Sequence, residues 1–226
     1  IIDNDNPYAL PTDSGISLQW YLYPTTGINV FPVWADYTGS GIKVAVFDQG
    51  IDPSHNDLDA NLLTRAGRTA SNLTAGGSPV LVTDNHGTAV AGTIAAERNG
   101  SGIVGVAYEA SLASIYSPLT LSGLAAQIAN AYSYAQNFDV LNDSWGFANG
   151  FASGATWAFY DNFLLSSFSA AGAALTNLAA RGRNGLGTVV VQSAGNSFSV
   201  GDDTNLHNFQ NSQYIVTVAA TDYTGC

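Results

Sequence analysis

The sequence of 226 residues contains no methionine, one cysteine and few basic residues. Its only cysteine, Cys226, is the last residue, which excludes a disulfide scaffold, a cysteine-based zinc cluster and catalysis by an internal thiol. Lys and Arg total 6 against 17 Asp and Glu, giving a formal net charge of −11. Because phosphate backbones are bound by clustered basic side chains, this balance excludes nucleic acid as a partner.

Membrane and export signals are missing as well. No apolar run is long enough to cross a bilayer, and no basic segment followed by an apolar one marks a signal peptide. Since there is no initiator methionine, we expect a processed product or an excised part of a longer protein. Only 10% of the residues are charged, whereas 46% are hydrophobic, which predicts a compact core with uncharged polar loops.

Short apolar runs alternate with Ala- and Leu-rich stretches along the chain. The runs predict strands at residues 41–48, 112–116, 138–141, 188–192 and 214–219. Helical spacing between them predicts helices at 87–97, 121–135 and 168–181. This order predicts an α/β fold with a mostly parallel central sheet and helices on both faces. We expect one domain, with residues 1–40 as an N-terminal arm and helix and residues 41–226 as the α/β core.

Three polar side chains occupy the ends of these predicted elements. Asp48 ends the first strand, His86 opens a helix and Asn196 follows a later strand. Functional groups of such sheets gather at the carboxyl ends of the strands, so the three are candidates for one site. A carboxylate can orient an imidazole, the imidazole can take a proton from a hydroxyl, and an amide can donate to an oxyanion. A turn aspartate, a surface histidine and a left-handed asparagine are the structural alternatives.

The segments around these residues resemble the subtilisin-like serine proteases, or subtilases. Residues 44–52 (Val-Ala-Val-Phe-Asp-Gln-Gly-Ile-Asp), 86–94 (His-Gly-Thr-Ala-Val-Ala-Gly-Thr-Ile) and 193–196 (Ser-Ala-Gly-Asn) are similar to that family's aspartate, histidine and oxyanion segments. The resemblance runs from about residue 13 to the end and implies a subtilisin-like fold. It implies that Asp48 orients the histidine, that His86 is general base and then general acid, and that Asn196 donates to the oxyanion.

Other segments are similar to the kexin and furin branch of the family. Among them are residues 18–22 (Leu-Gln-Trp-Tyr-Leu) and Ser144-Trp145-Gly146. The resemblance implies that the latter three form a strand on which an extended substrate peptide pairs, although Trp145 could simply be a core aromatic. Its implied substrate-binding residues are Asp84, Ser144, Trp145, Gly146, Asn149 and His207.

Departures from this branch concern specificity. Proteases that cleave after paired basic residues line their first pockets with carboxylates. The matching positions here are Gln49, the uncharged stretch 147–150 and His207. Asp84 is retained, but one carboxylate gives a weak preference for a cation. We therefore expect the dibasic preference to be reduced or lost.

The family nucleophile is missing from the sequence. It lies in a Gly-Thr-Ser segment, which this chain lacks, and Ser193 has no nucleophile elbow to expose it. The resemblance implies that the serine lies beyond Cys226 and that the given chain is the N-terminal portion of a catalytic domain whose fold is C-terminally incomplete.

A loop rich in glycine and polar residues resembles the strong calcium site of the family. The resemblance implies side-chain oxygens from Asp57 and Asn99, carbonyl oxygens from Glu97, Ser101 and Ile103, and closure by Asp13 from the N-terminal arm. Hard oxygen ligands of this kind favour Ca²⁺ over Zn²⁺. A polar turn with a helix-capping role is the structural alternative.

Three functions remain open on the sequence alone. The first is a secreted, calcium-stabilised serine endopeptidase, inactive as the 226-residue chain by itself. The others are an inert peptide-binding module and a structural calcium-binding domain. We expect protein or peptide substrates, extracellular localisation, and a propeptide, inhibitor or chaperone as an occupant of the cleft.

Overall fold

The computed structural model describes residues 10–120, 122–147, 163–164 and 166–225. Within them, six strands form one sheet in the order β2-β3-β1-β4-β5-β6, and every pair of neighbours is parallel. The strands are β1 (Lys43–Asp48), β2 (Arg68–Thr69), β3 (Ser111–Tyr116), β4 (Val140–Asp143), β5 (Val189–Ser193) and β6 (Ile215–Val218). The predicted α/β architecture is confirmed. The two-residue β2 is polar and too short to give an apolar run, so the sequence pattern did not predict it.

The central strand β1 contributes side chains to a hydrophobic core on each side of the sheet. Val44 and Val46 pack in a cluster with residues of α1 (His86–Ala95) on one face. Ala45 and Phe47 pack in the larger cluster on the other face, with α2 (Leu124–Ala135) and α3 (Ser169–Gly185). Alternate side chains of a strand point to opposite faces, so an unbroken apolar run is required for burial on both.

Backbone geometry explains where the helices differ from their predicted bounds. Predicted position 121 lies outside the described residues, and α2 begins after Gly123, which adopts a left-handed conformation with φ of 72°. The end of α1 follows from Ala96, whose ψ of 142° is extended. The last turn of α3 is irregular, because Arg183 and Asn184 have positive φ.

The N-terminal arm contains short 3-10 turns where we expected a helix. Ile16–Leu18, Trp20–Leu22 and Val33–Ala35 each form one such turn. The side-chain amide of Gln19 binds both backbone groups of Val104, accepting from its N–H at 2.9 Å and donating to its carbonyl at 2.7 Å. The arm is therefore fastened to the core by hydrogen bonds as well as by apolar packing. Nowhere in the described part of the chain is a helix both long and apolar enough to span a membrane.

Candidate active site

Asp48 and His86 form a hydrogen-bonded pair at the carboxyl end of β1. Asp48 is fully buried, and Nδ1 of His86 lies 2.9 Å from each of its carboxylate oxygens. The backbone N–H of Gln49 donates to Oδ1 of Asp48 at 2.7 Å, which fixes the carboxylate further. The predicted pairing of these two residues is therefore present in the structure.

Glycines allow the first turn of α1 to approach β1 closely enough for this pair to form. A Cβ atom at Gly87 would lie 2.4 Å from the carbonyl oxygen of Gly50 and 3.0 Å from Cβ of Asp48. The first distance is shorter than a real Cβ allows against backbone and the second is tight, so glycine is required directly after the histidine. Gly50 itself has a φ of 93°, which the tight turn after Asp48 requires.

The pair can hold a proton-accepting nitrogen toward solvent. Because the buried carboxylate accepts the proton on Nδ1, Nε2 of His86 is the nitrogen left to act as a base. The imidazole is 52% exposed on its side chain, so a substrate can reach it. If the ring becomes protonated, the adjacent carboxylate stabilises its positive charge.

The strands β1, β4 and β5 are neighbours and parallel, so their carboxyl ends share one edge of the sheet. Asp48 ends β1, Ser144-Trp145-Gly146 follows β4, and Asn196 follows β5 after Gly195, whose φ is 94°. Asn196 is exposed, as a donor to a substrate oxyanion must be. The three predicted groups thus lie along the same edge.

Trp145 is the buried centre of the predicted substrate segment. Its indole is buried against Phe47 and Phe209, with ring centroids 5.6 and 5.8 Å away. Its carbonyl oxygen accepts from Nε2 of Gln192 at 3.1 Å and from the hydroxyl of Ser193 at 3.3 Å. Gly146 is exposed, so the segment is anchored from below by its central residue while its outer backbone faces solvent.

Two other predicted substrate-binding side chains are engaged inside the protein. Asp84 is buried, and its Oδ2 accepts from the N–H groups of Val80 and Leu81 and from the hydroxyl of Tyr116. His207 is buried too, and its Nε2 lies 2.8 Å from Oδ1 of Asp202. Asn149 lies outside the described residues. A role of these three residues in substrate binding stays a prediction.

The predicted calcium ligands do come together. Asp13 is buried, and its Oδ1 accepts from the N–H groups of Asn99 at 3.0 Å and Gly100 at 2.9 Å. Asp57 is buried as well, and its Oδ2 accepts from the N–H of Ile103 at 3.0 Å. The loop 99–103 therefore holds one carboxylate from the arm and one from the segment after β1.

The structure also reveals a buried acid that the sequence reasoning missed. Asp143 ends β4 and is fully buried, with its Oδ2 accepting from the hydroxyl of Tyr132 at 2.9 Å. Burial, aided by the negative charge of Asp48, raises the pKa of Asp143 to about 8. The sequence does contain a signal for this burial. Asp143 lies two residues after Leu141, so both side chains point to the same apolar face of the strand.

A carboxylate–imidazole pair and an exposed amide thus lie along the carboxyl edge of a parallel sheet, an arrangement that suits acyl transfer to a hydroxyl nucleophile. The sequence profile of the subtilase family matches residues 39–225, and the chain belongs to that family. A dibasic-processing endoprotease of Yarrowia lipolytica is 33% identical over 93% of this chain and 21% of its own length. An extracellular protease of Xanthomonas campestris is 33% identical over 95% of this chain and 39% of its own. Furins and kexins of vertebrates and yeasts match at 30% to 31% identity, which confirms the predicted resemblance to that branch.

A solved structure gives the same fold. The serine protease of Aeromonas sobria, in complex with its chaperone, has a TM-score of 0.64 and 21% identity over 82% of this chain and 32% of that one. The predicted subtilisin-like fold is confirmed. The chain spans between 21% and 39% of the length of the curated relatives named above.

Proposed function

We propose that the protein is a serine endopeptidase that hydrolyses peptide bonds by an Asp-His-Ser mechanism. The observation that carries this proposal is the buried Asp48 paired with the half-exposed His86 at 2.9 Å. The family of the chain and the protease relatives support it. The nucleophilic serine belongs, on this proposal, to residues that follow Cys226 in the full-length protein.

Each described residue then has a defined step. An extended peptide pairs with the backbone of Ser144 and Gly146, which brings its scissile carbonyl to the sheet edge. Nε2 of His86 takes the proton of the attacking serine and later gives it to the leaving amine, while Asp48 stabilises the imidazolium. The side-chain amide of Asn196 donates to the oxyanion of the tetrahedral intermediate.

Fluorophosphonate labelling of the full-length protein tests this function. Because such a probe reacts with a hydroxyl activated by a base, we expect one covalent adduct per folded molecule, on a serine outside the 226 residues. A heat-denatured sample is the control and should take up no label. A folded protein that binds peptides and resists the probe would be a protease-like binding module, and the proposal would be wrong.

We further propose that the protease does not require paired basic residues. Asp84 is buried, and its Oδ2 accepts three hydrogen bonds inside the protein, so this carboxylate is poorly placed to pair with a substrate cation. The loop before His86 presents Val80, Leu81 and Val82 at 69%, 60% and 101% exposure. These side chains favour neutral and apolar substrate residues over Arg and Lys.

A peptide-library profile of the full-length protein measures this preference. We expect apolar and neutral residues to dominate the two positions before the cleaved bond, with no enrichment of Arg or Lys. A dibasic-processing relative assayed with the same library is the positive control. Dominance of Arg or Lys at both positions would contradict the proposal.

We also propose that calcium binds between Asp13 and the loop 99–103. Oδ2 of Asp13 and Oδ1 of Asp57 are buried carboxylate oxygens without a hydrogen-bond partner among the described residues. No three His, Cys, Asp or Glu side chains gather as a metal-binding group in that part of the chain, so a cation here needs carbonyl and amide oxygens too. Ca²⁺ accepts such a mixed oxygen shell.

The remaining implied ligands fit this assignment. Oε1 of Glu97 accepts from the N–H of Ala60 at 2.8 Å, and we assign its backbone carbonyl to the site, as the resemblance implies. Oδ1 of Asn99 accepts from the N–H of Ser101 at 2.9 Å and stays within the loop. The carbonyls of Ser101 and Ile103 complete the proposed set, and bound calcium would neutralise the two carboxylates and stabilise the fold.

An extracellular site of action and a partner in the cleft complete the proposal. The match to an extracellular protease of Xanthomonas campestris supports a secreted protein. The Aeromonas sobria protease, which was solved with a chaperone, supports a propeptide, inhibitor or chaperone as a second occupant besides the substrate.

A further inference from the structure

Unsatisfied polar atoms cluster under the proposed substrate strand. Among the described residues, the buried atoms without a hydrogen-bond partner include Asp143 Oδ1, Trp145 Nε1, Gln192 Oε1 and Gln210 Oε1. Three of these four atoms are acceptors. Buried acceptors without a donor are costly, so a proton on one of them is needed to satisfy another.

Asp143 and Gln192 are direct neighbours across the sheet. They are partners in the parallel register of β4 and β5, as are Leu141 and Val190 two residues earlier. Leu141 and Val190 both belong to the core that includes α2 and α3, so Asp143 and Gln192 share this face. Both side chains are almost completely buried, at 0% and 1% exposure. The two side chains therefore lie on the same face of neighbouring strands, and each has a buried oxygen without a partner among the described residues.

The surroundings keep Asp143 uncharged at neutral pH. Its pKa of about 8 results first from burial and then from the charge of Asp48 on β1. The hydroxyl of Tyr132 on α2 and the indole N–H of Trp145 both lower the pKa of Asp143. The indole does so without a hydrogen bond of ordinary geometry to the carboxyl group. The buried residues of α3 are Ala, Leu and Gly, so that helix adds no charge.

We propose that Asp143 is a positioning residue: as a neutral carboxylic acid it donates a hydrogen bond from Oδ1 to Oε1 of Gln192 and thereby holds the substrate strand. This inference rests on the proposed function of Ser144-Trp145-Gly146. The O–H orients the amide of Gln192, whose Nε2 donates to the carbonyl oxygen of Trp145 at 3.1 Å. Tyr132, Asp143, Gln192 and Trp145 form one chain of donors and acceptors from α2 to the cleft.

Ionisation of Asp143 breaks this series of hydrogen bonds. A carboxylate at Asp143 has no proton for Oε1 of Gln192, so the two acceptors repel and the amide turns. The carbonyl of Trp145 then loses a donor, and the substrate strand is no longer fixed. Substrate binding weakens as the pH rises through about 8, whereas the proton transfers of His86 use other atoms.

The test compares the full-length protein with Asp143→Asn, Asp143→Leu and, as a matched control, Asp36→Asn at an exposed carboxylate. The amide introduced by Asp143→Asn accepts from Tyr132 and donates to Gln192 without titrating. We expect the KM of the unchanged protein and of Asp36→Asn to rise about tenfold above pH 8, because one buried hydrogen bond is lost there. Asp143→Asn should keep a low KM at every pH, and Asp143→Leu a raised KM at every pH.

Thermal unfolding provides a readout that does not depend on activity. The unfolded chain releases the Asp143 proton near pH 4, whereas the folded protein holds it up to about pH 8. Folding stability therefore falls as the pH rises between these values, and only while Asp143 is present. The melting temperature of Asp143→Asn minus that of the unchanged protein should increase from about pH 5 to about pH 9. Asp36→Asn should show no such trend.

Tyr132→Phe provides a second test, in which Asp143 itself is left unchanged. It removes a hydrogen bond that favours the charged acid, so the alkaline rise in KM should move to higher pH. A KM of Asp143→Asn that still rises above pH 8, or a pH-independent difference in melting temperature, would overturn the proposal. If the unchanged protein hydrolyses no peptide, the proposed function fails, and the thermal comparison still decides the protonation of Asp143.

Discussion

Replacing His86 by alanine in the full-length protein is expected to lower kcat for peptide hydrolysis by about 10⁴- to 10⁶-fold. The imidazole is the only described side chain that pairs with the carboxylate of the buried Asp48, and it also reaches solvent. Without it, the serine loses its base and the leaving amine loses its acid. The kcat and KM of a fluorogenic peptide measure the effect, with circular dichroism as the check that the fold is intact.

The variant Asp48→Asn tests the charge of this pair separately from its size and shape. The amide keeps the size of the side chain but removes the negative charge and favours the tautomer that leaves Nε2 protonated, so a loss of about 10⁴-fold is expected. Asp36→Asn removes an exposed carboxylate instead and should leave kcat unchanged. If turnover survives in His86→Ala, the assigned mechanism is wrong.

Removal of calcium should cost the fold about 10 °C in melting temperature. A ligand at about a thousand times its Kd stabilises a protein by about 4 kcal/mol, and a protein of this size shifts by about 2 to 4 °C per kcal/mol. Chelation leaves the buried carboxylates of Asp13 and Asp57 beside the loop 99–103 without a counter-ion. Scanning calorimetry with calcium and with a chelator measures the shift.

The aspartates near this site provide the matched pair of variants. Asp57 is buried and has an oxygen without a partner among the described residues, whereas Asp59, two residues later, is exposed. Asp57→Asn should have a low melting temperature that calcium no longer raises, and Asp59→Asn should respond to calcium as the unchanged protein does. Equal melting temperatures with calcium and chelator in the unchanged protein would refute the site.

Strand positions were predicted well because parallel strands bury both faces. Residues 41–48 form an apolar run, and β1 occupies Lys43–Asp48 at the centre of the sheet. The start of α2 was predicted less accurately, since Gly123 ends the preceding turn by backbone conformation, which apolar spacing does not encode. We expected a helix in the arm, whereas its described residues form 3-10 turns that depend on contacts with distant residues such as Val104.

The pairing of Asp48 with His86 was predictable because each lies in a short segment that resembles a segment of the subtilases. Their positions at a strand end and a helix start left structural alternatives open, and the resemblance identified the pair. The role of Asp143 was not predictable in this way. Its chemistry depends on Tyr132 from α2 and Gln192 from β5, and only folding brings these two side chains to one strand end.

The hydrogen bonds of the arm also determine when in folding it can attach. Asp13 bonds to residues 86 and 87 positions away, and Gln19 to a residue 85 positions away. The arm binds residues 99–104, which follow α1, so we expect these contacts to form after the sheet and α1 have placed that loop. Interactions that are absent from the folding transition state slow unfolding and leave the folding rate almost unchanged. We therefore expect the arm, and any cation held there, to slow unfolding and so prolong the lifetime of the folded protein.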